Sequence, residues 1–395
     1  MKPLSHAVEA IPPSGIRKYF DVAAQIEDCI SLGVGEPDFV TPWHIREAAI
    51  WCIEKGYTSY TSNYGRLTLR EKIAEHLSRM YRVDYSPGSE VLVTVGVSEG
   101  LDLALRCILN PGDEVLVFDP GYVSYQPGIS LAGGVAVPVP CDVHNGFQPS
   151  VENAARLISP RTKCILLGFP SNPTGVVPTR DVMQALVDLA EAHDLYIISD
   201  EIYDRLIYGS AQHTCVPSLS GARDRTVLLG GFSKSYAMTG WRLGWACAPP
   251  HLIELMLKIH QYTMLCAPIA AQMAAEEALF RGEPEVQRMV AEYDRRRRLI
   301  VKRLNDMGLT CYEPEGAFYV FPSIRSTGLT SEQFVERLLL THRVAVVPGS
   351  VFGESGEGHV RMSYATSTAK IEEAMRRIGA FLADVRPDRV AATAV

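Results

Sequence analysis

The sequence predicts an α/β protein in which a large domain, built on a mostly parallel sheet flanked by helices, is joined to a smaller α+β domain. Two observations carry this prediction. Short apolar runs alternate with longer helical patterns through the middle of the chain, as they do when helices cross over between parallel strands. After about residue 250 the pattern changes to long amphipathic helices separated by brief strand-like runs. In a parallel sheet the carboxyl ends of the strands share one edge, and that edge is where α/β proteins place ligands.

Taken in order, the apolar runs end on distinctive groups. Residues 91–95 lead into Gly96, and 114–118 into Asp119, Pro120, Gly121 and Tyr122. Residues 164–168 precede Ser171-Asn172-Pro173-Thr174-Gly175, and 195–199 precede Asp200-Glu201-Ile202-Tyr203. Residues 227–232 run through two glycines into Ser233-Lys234-Ser235. Five chemically unusual loops are thereby expected on one edge. Further on, Met289, Tyr293, Ile300 and Leu304 recur at helical spacing, which buries one face and leaves Arg295 to Arg298 mostly outside, a solvated run among Glu292, Asp294 and Asp306. Residues 317–321 and 344–347 read as strands ahead of Arg361. The boundary is expected near residue 295, inside a continuous helix. This gives a large domain over 48–295, a small one from 1–47 and 296–395, and a frayed tail after Pro387.

Composition narrows the function. A net charge of -7 over 395 residues, with both signs interspersed, gives no footprint for nucleic acid or an anionic membrane, so small-molecule substrates are expected. Nine dispersed cysteines without a C-x-x-C pair suit a reducing compartment rather than a disulfide framework or a zinc site, and no metal is expected. No signal-like start and no apolar run of membrane-spanning length are visible, which predicts a soluble cytoplasmic protein.

The chemistry is concentrated in the five loops. Lys234 is bracketed by Ser233 and Ser235 and followed by Arg242, so an amine that can condense with an aldehyde lies beside the donors and fixed charge that a phosphate dianion needs. Pyridoxal phosphate carries both groups. Asp200, closing an apolar strand, is either a cap or the carboxylate that pairs with a protonated pyridine nitrogen. Tyr203 and Asn172 can donate to the ring's phenolate oxygen; their plainer roles are a core tyrosine and a turn residue, with a cis bond entertained at Asn172-Pro173. The turn Gly96-Val97-Ser98 opens a helix whose free N–H groups suit a phosphate, although Ser98 can equally be an N-cap. Tyr122 can lie against a ring face. Arg361 has the fork for a carboxylate, or forms a structural ion pair. A nicotinamide site, suggested by Gly33 and Gly35, fails because Asp38 replaces the third glycine.

Together these motifs resemble the class I and II aminotransferases, pyridoxal-phosphate enzymes of fold type I, over nearly the whole chain from about Leu32. The resemblance rests on residues 32–39, on Tyr60, Gly65, Leu69 and Arg70, on 171–175, 199–203 and the lysine motif, and on 316–319 and 360–365. The wording around the lysine is most similar to the prokaryotic aromatic and broad-range branch. The resemblance implies a seven-stranded sheet. It implies that Lys234 holds the cofactor covalently and serves as the base, with Asp200 and Tyr203 also catalytic. Val97, Ser98, Ser233 and Arg242 then hold the phosphate, Tyr122, Asn172, Asp200 and Tyr203 the ring, and Gly35, Asn172 and Arg361 the substrate carboxylate. Tyr60 is expected to reach the phosphate of a second subunit in a homodimer. Val97 departs from the smaller residue usual there, but its backbone N–H suffices. The implied reaction is ping-pong transfer of an amino group from an L-amino acid to a 2-oxo acid such as 2-oxoglutarate. The alternatives on the same scaffold are an aspartate, alanine or broad-range aminotransferase or a carbon-sulfur lyase. A regulator that senses the cofactor would need a DNA-binding module, for which residues 1–31 are too short. Tyr19, Tyr64 and residues 11–20 are expected to line a pocket for an aromatic side chain.

Overall fold

The computed structural model describes residues 2–13 and 15–385, so the expected fraying beyond Pro387 lies outside the described residues. A short strand, β1 (Ile30–Ser31), precedes the main sheet. That sheet comprises β2 (Val91–Thr94), β3 (Glu114–Asp119), β4 (Val135–Pro140), β5 (Thr162–Leu167), β6 (Tyr196–Asp200), β7 (Thr226–Gly231) and β8 (Gly244–Cys247). Its seven strands lie in the order β2-β8-β7-β6-β5-β3-β4. Every neighbouring pair among β4, β3, β5, β6 and β7 is parallel; β8 alone runs antiparallel to its neighbours, β7 and β2.

The two strands absent from the sequence reading have physical reasons for being quiet. β4 is Val-Ala-Val-Pro-Val-Pro, and its two prolines are tolerated because it forms the sheet edge and needs a partner on one side only. β8 is four residues long and directly follows the polar lysine loop. The five predicted runs are buried along almost their whole length, as strands covered by helices on both faces must be.

Beyond the main sheet, β9 (Tyr319–Val320), β10 (Val344–Ala345), β11 (Val347–Pro348) and β12 (Val360–Ser363) complete the strands among the described residues. β12 pairs antiparallel with both β11 and β9, while β10 pairs in parallel with β1, tying residues 30–31 to the carboxyl-terminal third of the chain. The predicted strand over 344–347 is thus split between two sheets, and the run over 317–321 shrinks to two residues.

Helix Glu283–Asp306 runs unbroken through residue 295 and buries Met289, Tyr293, Ile300 and Leu304 as the spacing predicts. Its arginine run needs correction. Arg295 and Arg298 are exposed, but Arg296 and Arg297 are buried, because a 3.6-residue period cannot keep four consecutive residues on one side. All nine cysteines are unpaired and six are buried. No described helix is long and apolar enough to cross a membrane, and no described cluster of His, Cys, Asp or Glu could hold a metal.

Candidate active site

Parallel packing brings the ends of β6 and β7, the turn after β2, and the loops after β3 and β5 to one edge, where β12 closes over them. The result is a cleft of about 330 Å³ lined by Gly35, Val97, Ser98, Tyr122, Asn172, Asp200, Tyr203, Ser233, Lys234, Arg242 and Arg361. Tyr60 is not among its walls and stands 83% exposed. The other residues expected to hold the cofactor and the substrate carboxylate are gathered there.

Lys234 follows the last residues of β7, and its Nζ donates to the Gly35 carbonyl at 2.7 Å. Burial lowers its pKa to about 8; Glu36 opposes the shift, while Arg361 and Arg242 add to it. A lysine so placed is a neutral amine in roughly one molecule in ten at pH 7, a far larger share than an unperturbed lysine reaches. Asp200 ends β6 with 8% exposure, and burial raises its pKa to about 6. Two donors pull the other way: the Tyr125 hydroxyl at 3.0 Å and the Ile202 N–H at 3.3 Å. The carboxylate therefore sits where its charge is costly unless a positive partner is present.

Arg361 projects from β12 and is 2% exposed. Nη1 donates to Asn172 Oδ1 at 2.9 Å and Nη2 to the Gly33 carbonyl at 2.6 Å, while Nε has no partner among the described residues. Its guanidinium lies over the rings of Tyr319 and Phe352, with neutral groups around it, and burial lowers its pKa. The structural ion pair allowed by the sequence is thus not formed.

The phosphate-like end is built from backbone. Gly96 caps helix Val97–Ile108 at φ 78°, and a Cβ there would meet Arg242 Nη2 at 2.7 Å, so only glycine lets this turn meet the guanidinium. The N-cap is consequently Gly96 and not Ser98, and no side chain caps this helix.

Two further expectations are corrected. The cis peptide bonds are Asp119-Pro120 and Phe169-Pro170, not Asn172-Pro173. Tyr19 is buried in the core, and Tyr64 packs near Arg70; neither lines the cleft, to which the 11–20 segment contributes Ile16. Ser14 and the side chains of Arg17, Lys18 and Phe20 lie outside what is described. The Tyr203 hydroxyl, which lines the cleft, is paired with the Tyr319 hydroxyl at 2.9 Å.

Sequence reasoning missed Tyr125 and Tyr319. Tyr125, three residues after Tyr122, opens the next helix and donates to Asp200; Tyr319 belongs to the Gly-Ala-Phe-Tyr motif and contacts both Tyr203 and Arg361. The i,i+3 spacing was a signal for the first, but nothing in the sequence joins Tyr319 to Arg361.

Residues 27–378 match the family model for aminotransferase class I and II. The chain belongs to that family. It is therefore an aminotransferase, a member of a family that uses pyridoxal phosphate and acts on amino acids and oxo acids. It is 46% identical over 377 residues to the aspartate aminotransferase of Pyrococcus abyssi, covering 95% of this chain and 97% of that protein. It is 44% identical over 377 residues to aromatic-amino-acid aminotransferase 2 of Thermococcus litoralis, again covering 95% and 97%. The crystal structure of Pyrococcus protein-A1 superposes with a TM-score of 0.95 at 46% identity, covering 97% of this chain and 99% of that one.

Proposed function

We propose that this aminotransferase binds pyridoxal phosphate in the cleft and transfers the amino group of an L-amino acid, aromatic donors included, to a 2-oxo acid such as 2-oxoglutarate in two half-reactions. The observation that carries this reading is the convergence of a depressed lysine, an elevated buried aspartate and a carboxylate-free buried arginine on one cavity. The donor set fits the cofactor: backbone N–H groups at a helix start, Ser98, Ser233 and Arg242 at one end suit a phosphate, and Asp200 at the other suits a protonated pyridine nitrogen.

When bound, the cofactor supplies an aldehyde that exchanges between Lys234 and the substrate amine, and a ring that draws electrons from the α-carbon. Asp200, stripped of water, favours a proton on the ring nitrogen, because the two opposite charges then compensate each other's burial. Asn172 and Tyr203 would serve the ring oxygen, Tyr203 exchanging its bond to Tyr319, and Tyr122 would lie against the ring. Arg361, with Asn172 and the Gly35 backbone, would hold the α-carboxylate in the cleft that Lys234 also lines. Nζ then takes the α-proton and returns it, and a pKa near 8 lets it do both.

Of the cations among the described side chains that line the cleft, Lys234, Arg242 and Arg361 are all used and none is left for a distal carboxylate, while Ile16 and Leu101 offer apolar surface; the Arg17 and Lys18 side chains lie outside what is described. This lining supports aromatic donors. The same reading divides the chain into a cofactor-binding domain over 48–295 and a small domain from 1–47 and 296–395, and places the protein in the cytoplasm. A homodimer completes it, with Tyr60 reaching the partner's phosphate. The exposed Trp43, Trp51, Ile53 and Phe280 give a second copy apolar surface to cover.

Absorption spectra of the purified protein, taken before and after single L-amino acids are added without oxo acid, test the reading. The visible cofactor band should give way to the near-ultraviolet band of the pyridoxamine form, fastest with the preferred donor. A persisting visible band with release of pyruvate or ammonia would mean a lyase. Negligible turnover of phenylalanine and tyrosine beside alanine, aspartate or glutamate would remove the aromatic assignment.

A further inference from the structure

The turn that leads into helix Val97–Ile108 is held from behind by two buried titratable side chains that the reaction does not use. Glu99 occupies the third position of that helix, with only 8% of its side chain exposed, and its Oε2 accepts the Val95 N–H. Its Oε1 accepts from Nδ1 of His260 at 2.6 Å, a histidine on helix Pro250–Thr263 with no exposed surface. The remaining ring nitrogen, Nε2, has no partner among the described residues. The imidazole therefore has one polar contact through Nδ1, and that contact is Glu99.

A carboxylate in the first turn is favoured by the helix dipole, yet it lies one residue from Ser98, where a phosphate dianion would add two more negative charges. What keeps it harmless is its direction. With one oxygen on Val95 N–H and the other on His260, Glu99 is turned toward the β2 side of the turn and does not bond the N–H groups of Val97 and Ser98, two residues that line the cleft. Without His260, a buried carboxylate oxygen loses its donor. A helix start offers it the unsatisfied N–H groups of its own first turn, so the side chain would compete with the phosphate for them.

We infer that His260, acting through Glu99, is a positioning residue that reserves the phosphate end of the cleft for its ligand. The inference rests on the proposed cofactor reading. The test compares pyridoxal phosphate with pyridoxal, which carries the same aldehyde and ring and no phosphate. Dissociation constants of both, read from the visible absorption band, are measured for the wild type, His260→Leu, His260→Asn and the double variant His260→Leu/Glu99→Gln.

His260→Leu should weaken pyridoxal phosphate on the order of tenfold or more, the scale of one hydrogen bond to a charged group, and leave pyridoxal within about twofold. His260→Asn, whose amide can donate from the Nδ1 position, should restore most of the loss, and removal of the charge in the double variant should do the same. Equal losses for the two aldehydes, or no loss for either, would overturn the inference, since a merely structural histidine does not distinguish a phosphate. If His260→Leu does not fold, the Asn variant must still retain the wild-type preference for the phosphate ester. Should the wild type bind neither aldehyde, the cofactor reading itself fails and takes this inference with it.

Discussion

Two regions bury arginine in this protein, and they solve the same electrostatic problem in opposite ways. On helix Glu283–Asp306, Arg297 is held at its Nε and Nη2 by Asp294 at 2.9 and 2.7 Å, and its Nη1 reaches Glu313 at 2.6 Å. Burial works against that charge, but the carboxylates outweigh it and its pKa rises. Arg296 is likewise clasped by Glu292 and Asp38. At the cleft, Arg361 is equally buried and has an amide oxygen, a carbonyl and two ring faces, but no carboxylate, and its pKa falls. A buried cation with its counter-charge built in is a structural device; one without it is prepared for a ligand that brings the charge.

The sharpest way to break this contrast is at the cleft itself. Lys234→Ala should reduce single-turnover amino transfer on the order of 10⁴-fold, because no other cleft group can take the α-proton, while secondary structure by circular dichroism stays intact. Substantial residual turnover would remove Lys234 from its role.

Next, the two arginines are exchanged for methionine. Arg361→Met should lower kcat/KM for amino donors by about 10²-fold, chiefly through KM, with little change in the denaturant midpoint. Arg297→Met should do the reverse, costing about 2 kcal/mol in urea unfolding because Asp294 loses its buried partner, with KM near wild type. If both variants show the same pattern, the distinction drawn here is wrong.

The smallest effect is a pH dependence. Asp200 has a folded-state pKa of about 6, above its ordinary value near 3.8, so between those values the folded protein holds more protons than the unfolded chain. Stability of the cofactor-free protein should then fall as pH rises through that window, and by pH 7 the full cost of the buried charge is present. Asp200→Asn should therefore stabilise the cofactor-free protein at pH 7 by about 2 kcal/mol, and the gain should vanish near pH 4. A gain independent of pH would place the effect elsewhere.

How much of this was legible follows from what each signal depends on. The strand ends at Asp200, Lys234, Asn172 and Tyr122 were readable because apolar runs mark strands and a parallel arrangement forces their carboxyl ends to one edge. Arg296 and Arg297 were misread because a run of like charges hides the helical rotation that carries its middle members inward. Tyr19 and Tyr64 were assigned to the cleft by their order along the chain, which carries no direction.

By itself the sequence determined the alternation of strand and helix, the family, and the chemistry available at the sheet edge, because periodicity and local motif are properties of neighbouring residues. Tertiary structure alone decided which charges are compensated. It brought Arg361 on β12 to Asn172, Tyr319 to Tyr203, Tyr125 to Asp200 and His260 to Glu99. The pKa displacements of Lys234 and Asp200 arise from burial among distant segments, and no local pattern encodes the loss of water that produces them.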